Sequence, residues 1–111
     1  MNLETTGLTG KASVDKPWLK YYPEELRDVK LPKMTVEAFL KMKNPDENKY
    51  AFEYYGTKIT WKEFWQEVEI AAKALKVLGF DEGDRIPVFL QAVPSHFILL
   101  LAAEKIGATM I

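Results

Sequence analysis

The sequence predicts an α/β fold with a β-hairpin, two main helices and an incomplete β-α-β unit. Three observations lead to this prediction: a hairpin pattern over residues 50–60, an amphipathic helical pattern over 61–78, and the order strand, helix, strand from residue 85 to residue 111. Parallel strands joined by a helix belong to sheets that are covered on both faces and contain several strands. The chain supplies one such strand and the start of another, so we expect the sheet to continue in a longer polypeptide.

Composition limits the class of protein. The chain has 111 residues, of which 48% are hydrophobic and 28% charged, as in globular domains and unlike disordered tails. Its net charge of −1 offers no field that would attract nucleic acid or an anionic membrane. The sequence has no cysteine, which excludes disulfides, thiolate nucleophiles and cysteine-based zinc sites. Because it also lacks a signal peptide and a transmembrane segment, we predict a cytoplasmic protein.

Three regions are predicted along the chain. Residues 1–16 are polar and have no apolar period, which indicates a loose leader. Residues 17–33 are rich in proline and aromatic side chains, so we expect an extended arm that lies on a larger body and carries no chemistry. Residues 34–111 contain the periodic elements and form the main, truncated domain.

The first elements of this domain are a short helix and a hairpin. Thr35 is predicted to cap a helix with Val36, Phe39 and Leu40 on one face, and residues 44–48 end it. The hairpin has strands over residues 50–55 and 58–60 with a turn at Gly56-Thr57.

The strongest local signal is a capping box formed by Thr60 and Glu63 at the start of a long helix. Gly79 lies just past the predicted end, where a left-handed residue ends many helices. The residues predicted to form the buried stripe are Phe64, Val68, Ala71, Ala72, Leu75 and Leu78.

The last elements form the β-α-β unit. A tight turn over residues 80–84 precedes a buried strand over 85–90, which Pro87 restricts to an edge or to hydrogen bonds on one side. Pro94 is predicted to open a helix whose residues 97–106 are apolar nearly all round, so we expect that helix to be well covered. Gly107 then ends it, and a second strand begins at Ala108.

No pattern in the sequence predicts a catalytic centre. The six glycines do not have the spacing of a phosphate-binding loop, and residues 79–84 are acidic and precede a strand, which favours a plain connection. His96, the one histidine, is next to Ser95, but neighbouring residues do not form a catalytic triad, so a packed or partly exposed histidine is expected. Too few nitrogen and thiolate ligands are present for a metal site.

Two further patterns fit plain surface roles better than functional ones. The carboxylate pairs are expected to be solvated: Glu24-Glu25, Glu67-Glu69 and Asp81-Glu82. Aromatic residues beside lysines, at Lys20-Tyr21-Tyr22 and Trp61-Lys62, can stack on single-stranded nucleic acid, but the net charge disfavours this. We therefore predict no catalytic, no cofactor-binding and no metal-binding residue in this chain.

The region from Ala51 to Ile111 resembles the N-terminal part of the AMP-forming acyl-CoA synthetases, within the adenylate-forming superfamily. The segments that carry the resemblance, in order, are Ala51-Phe52, Gly56, ITWKEF at 59–64, Ala71-Ala72, ALKVLGFDEGDRI at 74–86, Val88, Leu90, Pro94 and KIGA at 105–108. Residues 16–23, KPWLKYYP, are similar to the leader of long-chain fatty-acid–CoA ligases. Residues 92–95 keep only Pro94 of the family's usual Asn, small residue, Pro, Glu pattern, so a different helix cap is expected there.

The resemblance implies that this is the start of the large AMP-binding (adenylation) domain of a ligase. Such enzymes use ATP and Mg²⁺ to convert a carboxylic acid, in this branch a fatty acid, to an acyl-adenylate and then transfer it to coenzyme A. The residues that the family uses for this chemistry are expected beyond position 111, so no functional residue is carried over and the chain alone is predicted inactive.

Two alternatives stay open. The chain can instead be a stand-alone binding or oligomerisation module that completes its sheet with a partner's edge. Within the enzyme hypothesis, it can be the start of a peptide-synthetase adenylation domain or of an aryl-CoA ligase. The expected partners are the rest of the parent polypeptide and, for the isolated chain, a second copy of itself.

Overall fold

A computed structural model describes residues 7–111 of the chain. Within it, two compact units divide between Lys33 and Met34. The first six residues of the predicted leader lie outside the described part of the chain.

In the first unit, one carboxylate orders part of the region that was expected to be a loose leader. A single turn of helix, α1 (Ala12–Asp15), ends this stretch. The Asp15 carboxylate accepts hydrogen bonds from the backbone N–H groups of Thr9 and Gly10, each at 2.9 Å. It also accepts one from the Thr9 hydroxyl at 2.7 Å. The hydrogen bonds from Thr9 are the main reason why the pKa of Asp15 is lowered. These hydrogen bonds involve polar residues only, so they leave no apolar periodicity in the sequence.

The segment 17–33 is not the extended arm that was predicted. It contains two 3-10 helices, Pro17–Tyr21 and Glu24–Leu26. Pro17 occupies the first helical position, where a backbone N–H makes no intrahelical hydrogen bond, so its absence in proline costs nothing. Proline in this segment is therefore compatible with short helices and does not force an extended chain. Packing of this segment on a larger body stays a prediction.

The second unit begins with α2 (Val36–Lys43). The Thr35 hydroxyl accepts a hydrogen bond from the Ala38 N–H at 3.1 Å, which confirms the predicted cap. The side-chain amide of Asn44 donates to the Leu40 carbonyl at 2.9 Å and ends the helix. No residue of α2 is fully buried.

The predicted hairpin is present. Strands β1 (Tyr50–Tyr54) and β2 (Thr57–Thr60) pair antiparallel, with an irregularity between Tyr50 and Phe52. The turn is one residue earlier than predicted, at Tyr55-Gly56, and both of its residues have positive φ, as two-residue hairpin turns require.

Helix α3 (Trp61–Val77) starts at the predicted capping box. The Glu63 N–H donates to the Thr60 hydroxyl at 3.2 Å, and the Thr60 N–H donates to the Glu63 carboxylate at 2.8 Å. The predicted stripe is confirmed at Phe64, Val68, Ala72 and Leu75, which are all buried.

One position on this stripe and one beside it correct the prediction. Leu78 is 74% exposed, because the helix ends at Val77 and Leu78 is the C-cap residue beyond the last packed turn. Trp65, which was not included, is buried. It lies one turn before Val68 and two before Ala72, so the apolar face is wider than the predicted stripe.

The β-α-β unit is also present, with shorter strands than predicted. Strands β3 (Arg85–Ile86) and β4 (Thr109–Met110) pair parallel and are joined by α4 (Pro94–Ile106). The Ile111 N–H donates to the Ile86 carbonyl at 2.9 Å, and the Val88 N–H donates to the Ile111 carbonyl at 2.8 Å. Pro87 therefore points its nitrogen away from β4, as expected for a strand that bonds on one side at that residue.

The buried strand predicted over residues 85–90 is confirmed only in part: Ile86 is buried and Val88 is partly buried against the core, but residues 89 and 90 are not buried. Phe89 has a relative exposure of 105% and Leu90 is also exposed. Burial of these side chains needs neighbours on both faces of the sheet, and within residues 7–111 only β4 pairs with β3.

Helix α4 has the predicted start at Pro94 and stop at Gly107. Gly107 has φ of +78°, and a Cβ there would lie 2.9 Å from Cγ of Glu82, so both conformation and space require glycine. Val93, the N-cap residue, makes no side-chain cap, in agreement with the altered pattern at 92–95. The expectation of a well-covered helix is wrong on one side, where Phe97 and Leu100 are exposed.

The core lies between α3 and α4 and is divided into two clusters. One cluster joins the end of α3 to the parallel strands and consists of Ala72, Leu75, Ile86, Ala102, Ala103, Ile106 and Ala108. The other joins the start of α3 to the hairpin and consists of Phe64, Trp65, Val68 and Leu101. Among residues 7–111, no helix has the length and apolar content needed to cross a bilayer.

Candidate functional site

The second unit contains a pocket of about 210 Å³, here called the aromatic pocket. Helix α2, strand β1, the start of α3 and the exposed side of α4 surround it. Its lining residues are all apolar or aromatic: Val36, Leu40, Phe52, Trp61, Phe64, Phe97, Leu100 and Leu101. A surface of this kind can pack against apolar groups but offers no acid, base or nucleophile.

The pocket is built around Phe52. Its ring centroid lies 5.1 Å from that of Phe64 and 5.4 Å from that of Phe97, so one hairpin residue bridges α3 and α4. Trp61 stacks on Trp65 with centroids 5.7 Å apart and lies edge-on to Phe64 at 5.8 Å. Aromatic pairs at these separations add to the stability gained from area burial.

A group of polar contacts beside the pocket joins α2 to α4; we call the side chains Glu37, Glu104 and Lys105 the latch. The Glu104 carboxylate accepts a hydrogen bond from the Val36 N–H at 2.9 Å. The Lys105 ammonium donates to both Glu37 oxygens at 3.2 Å. These contacts connect residues that are 68 positions apart in sequence.

The latch is connected to two further ion pairs. Glu37 also pairs with Lys41 at 2.6 Å, one turn along α2. Lys105 also pairs with Glu69 of α3 at 2.6 Å. One lysine therefore bridges α2, α3 and α4.

These contacts shift the ionisation of both charged partners. Burial works to raise the pKa of Glu37, but hydrogen bonds from Lys41 and Lys105 outweigh burial and hold the pKa below its ordinary value. The hydrogen bond to Glu69 raises the pKa of Lys105, against a smaller effect of burial, and Glu37 adds to the rise. Both groups are therefore charged at neutral pH.

A second depression of about 310 Å³ lies along α4 and β4. It shares Val36, Leu100 and Leu101 with the aromatic pocket and extends to Ala108 and Met110. Its polar edge is formed by Glu104, which is already bonded to α2. The two depressions are thus one apolar surface on the same side of α4.

The structure gives His96 no catalytic geometry. Its Nδ1 is enclosed and has no hydrogen-bond partner, and its ring lies edge-on to that of Phe97 at 5.7 Å. A general base needs an orienting partner and a nucleophile within hydrogen-bond reach. The packed, partly exposed histidine predicted from the sequence is confirmed.

The carboxylate pairs do not form an acid–base site. Asp81 bonds the Lys76 ammonium and the Glu82 N–H, which lower its pKa in that order, and Glu69 is paired with Lys105. Each carboxyl group in residues 7–111 with a clearly shifted pKa has it lowered, whereas a general acid needs it raised: Asp15, Glu37, Glu63 and Asp81.

The remaining sequence candidates have structural roles. In the turn after α3, the Gly83 N–H donates to the Gly107 carbonyl at 2.9 Å and the Asp81 N–H donates to Asp84 at 2.7 Å. These N–H groups are therefore not available to a phosphate. The Lys20 ammonium lies 4.8 Å from the Tyr21 ring centroid. Residues 7–111 contain no cluster of three or more side chains suited to a metal ion.

Sequence reasoning did not find the aromatic pocket or the latch. A signal for the pocket was present, because Trp61 and Phe64 are one helical turn apart directly after a hairpin that carries Phe52. No local signal exists for the latch, since Glu104 and Lys105 meet α2 only through the fold.

Comparisons with known proteins agree with this arrangement. Residues 41–111 match the family described as AMP-binding enzyme. A long-chain-fatty-acid–CoA ligase of Bacillus subtilis is 33% identical over 102 residues, which cover 85% of this chain and 18% of that protein. An acetyl-coenzyme A synthetase of Gemmatimonas aurantiaca is 36% identical over 69 residues, which cover 58% of this chain and 11% of that protein.

A solved structure has a similar fold. It is an artificially fused adenylation–PCP di-domain NRPS, NpsA-ThdA, from Klebsiella oxytoca. The match has a TM-score of 0.62 and 25% sequence identity, and it covers 68% of this chain and 14% of that one. The chain therefore spans less than a fifth of the length of these relatives. From the match over residues 41–111, the chain belongs to the family of AMP-binding enzymes, among the relatives of the acyl-CoA synthetases.

Proposed function

We propose that the chain is the beginning of the large domain of an AMP-forming acid–thiol ligase and serves there as scaffold. The parent enzyme would use ATP and Mg²⁺ to activate a carboxylic acid as its acyl-adenylate and would transfer the acyl group to coenzyme A. The observation that carries the proposal is the family match over residues 41–111, the region that contains the hairpin, α3 and the β-α-β unit.

The scaffold role is supported by what the second unit contains. Many of its polar side chains form caps, turns and ion pairs, and two of its depressions are lined mainly by apolar residues. A third depression, of about 410 Å³, is lined by Lys73, Lys76 and Lys105, but Lys76 is paired with Asp81, and Lys105 with Glu37 and Glu69. The chain alone is therefore expected to be inactive, and the nucleotide, Mg²⁺ and coenzyme A would be bound by other parts of the enzyme.

A fatty acid is the substrate class proposed for the parent enzyme. It is favoured by the long-chain-fatty-acid–CoA ligase, which is 33% identical over a match that covers 85% of this chain, whereas an acetyl-coenzyme A synthetase of Rhizobium rhizogenes that covers 96% of it is 28% identical. The acetyl-coenzyme A synthetase and the NRPS adenylation protein support the other branches, a short acid or an amino acid. A cytoplasmic location is proposed with it, in keeping with a sequence that has no cysteine.

The test is to sequence the transcript beyond the codon for Ile111, express the full reading frame, and measure AMP release with acetate, octanoate, palmitate and an amino-acid mixture. We expect a continuation that contains a Ser-, Thr- and Gly-rich loop ending in lysine, and AMP release that depends on both palmitate and coenzyme A. The fatty-acid assignment would be overturned if acetate were the one acid of this set that supports AMP release. A stop codon directly after Ile111 would overturn the ligase proposal.

The second candidate is a module that associates with copies of itself. It is favoured by the exposure of Phe89 and Leu90 on β3 and of Phe97 and Leu100 on α4. A stop codon after Ile111 together with a stable dimer in solution would select this candidate.

A further inference from the structure

We propose that α2 is a lid on the aromatic pocket, that the latch holds it closed, and that releasing the latch opens α2 while the α3–α4 core stays folded. This goes beyond the scaffold role and does not depend on the identity of the parent enzyme. Most of α2 also lies outside the segment that matches the family, which begins at residue 41.

The first argument is that α2 is weakly held by apolar contacts. It has eight residues and none of them is fully buried. Isolated helices of this length are not stable in water, so α2 depends on its attachment to the rest of the unit. Only Val36 and Leu40 reach the aromatic pocket. In contrast, α3 and α4 contain nine buried residues between them, five on α3 and four on α4.

The second argument is the position of the latch. Glu104 bonds the first N–H of α2, where a negative charge also interacts favourably with the helix dipole. Lys105 bonds Glu37 in the same first turn. The Glu37 side chain is 18% exposed and that of Lys105 is 32% exposed, so solvent screens this pair only in part. The N-terminal turn of α2 is therefore attached to the last turn of α4 by polar groups.

The third argument is a hinge at the other end of α2. The Lys49 carbonyl accepts from the Trp61 N–H and the Glu47 carbonyl accepts from the Lys62 N–H, both at 2.9 Å. These bonds fix residues 47–49 to the start of α3. Between α2 and this anchor, Asn44 bonds back to the Leu40 carbonyl and Asp46 accepts from the Lys49 N–H, so a bend of the chain falls at the Asn44–Pro45 junction. A lid needs one released end and one hinge, and α2 has both.

Opening would change the surroundings of the tryptophans. Leu40 packs against the cluster that contains Trp65, and the Lys41 ammonium lies 4.8 Å from a ring centroid of Trp65. Moving α2 away removes both contacts and exposes the pocket face of Trp61. The solvent accessibility of Trp61 and Trp65 therefore shows whether α2 is open, and the measurement needs no ligand.

Amide hydrogen exchange on the 111-residue chain, at a concentration low enough to limit its association, tests the proposal with two pairs of variants. Lys105→Met removes the bond to Glu37 but also the bond to Glu69, so Glu69→Gln is its control, because it weakens only the link between α3 and α4. Glu104→Ala removes the acceptor for the Val36 N–H, and Glu104→Gln keeps an oxygen acceptor at that position. The readouts are the exchange rates of α2 amides at 39–43 and of α3 amides at 65–76, with acrylamide quenching of tryptophan fluorescence.

We expect Lys105→Met and Glu104→Ala to speed α2 exchange by about 2- to 5-fold, within the range that corresponds to losing one partly exposed polar contact. Acrylamide quenching should rise in the same two variants, while their α3 exchange rates stay close to those of wild type. In Glu69→Gln and Glu104→Gln, all of these readouts should stay close to wild type. Equal acceleration of α2 and α3 in Lys105→Met and Glu104→Ala would show that the latch stabilises the whole unit, and unchanged α2 exchange would show that it does not hold α2. Either result would overturn the proposal.

Discussion

Replacing Leu75 by alanine is predicted to lower the free energy of unfolding by about 3 kcal/mol, within the roughly 2–5 kcal/mol seen for leucines in well-packed cores. Leu75 is 6% exposed and lies in the cluster that joins α3 to α4 and the parallel strands. Its neighbours there include Ala102, Ala103 and Ala108, whose short side chains cannot move into the space left by the leucine. The cost therefore includes a cavity as well as the lost burial.

Leu78→Ala is the matched control, since it removes the same side-chain atoms from the C-cap residue of the same helix. Leu78 is 74% exposed, so its replacement is expected to change the free energy of unfolding by less than about 0.5 kcal/mol. Urea denaturation followed by far-ultraviolet circular dichroism measures both values, at a concentration low enough to limit association. The assignment of the core face of α3 would be refuted if the two variants lost equal stability, or if Leu75→Ala matched wild type.

Three other outcomes are expected. Thr60→Ala should lose about 1 kcal/mol of stability in the same denaturation assay because the capping box is broken, and Thr60→Ser should retain most of it. Lys105→Met should be less stable than wild type, and the difference should be full at neutral pH. It should shrink as pH falls below 4.5, the ordinary pKa of a glutamate. In the folded chain, hydrogen bonds from Lys41 and Lys105 outweigh burial and lower the pKa of Glu37, so the ion pair is lost as pH falls through this lowered pKa. The difference should shrink again above pH 10.5, because the pKa of Lys105 is raised from that value by Glu69 and Glu37; a difference that does not vary with pH would contradict the ion pair. Light scattering on the isolated chain at tens of micromolar should detect association, driven by exposed Phe89 and Phe97, and a sharp monomer peak would count against an exposed apolar surface.

The local elements could be predicted because their signals are local. Thr60 and Glu63 are three residues apart and satisfy each other's backbone groups, and Gly107 ends a helix by its own conformation. Burial was harder to predict, since it depends on which neighbours are present. Leu78 and Phe89 are as apolar as Leu75, yet the fold of residues 7–111 leaves both of them exposed.

The contacts that organise the candidate site were out of reach for a different reason. Glu104 caps a helix that lies 68 residues earlier in the chain, and Phe52 bridges two helices that the sequence treats as separate elements. Neither pattern has a fixed spacing, so only the folded chain reveals it. That the chain carries no catalytic residue stays a prediction, which rests on the residue types and spacings that phosphate loops and triads require.

Calorimetric titration of Mg·ATP into the 111-residue chain tests the central claim most directly, namely that this part of an AMP-binding enzyme is scaffold without a nucleotide site. The account predicts no binding heat up to millimolar ATP, because the turn N–H groups that could hold a phosphate are bonded within the chain and the lysine that bridges three helices is bonded to Glu37 and Glu69. Binding of ATP with a micromolar dissociation constant would contradict it.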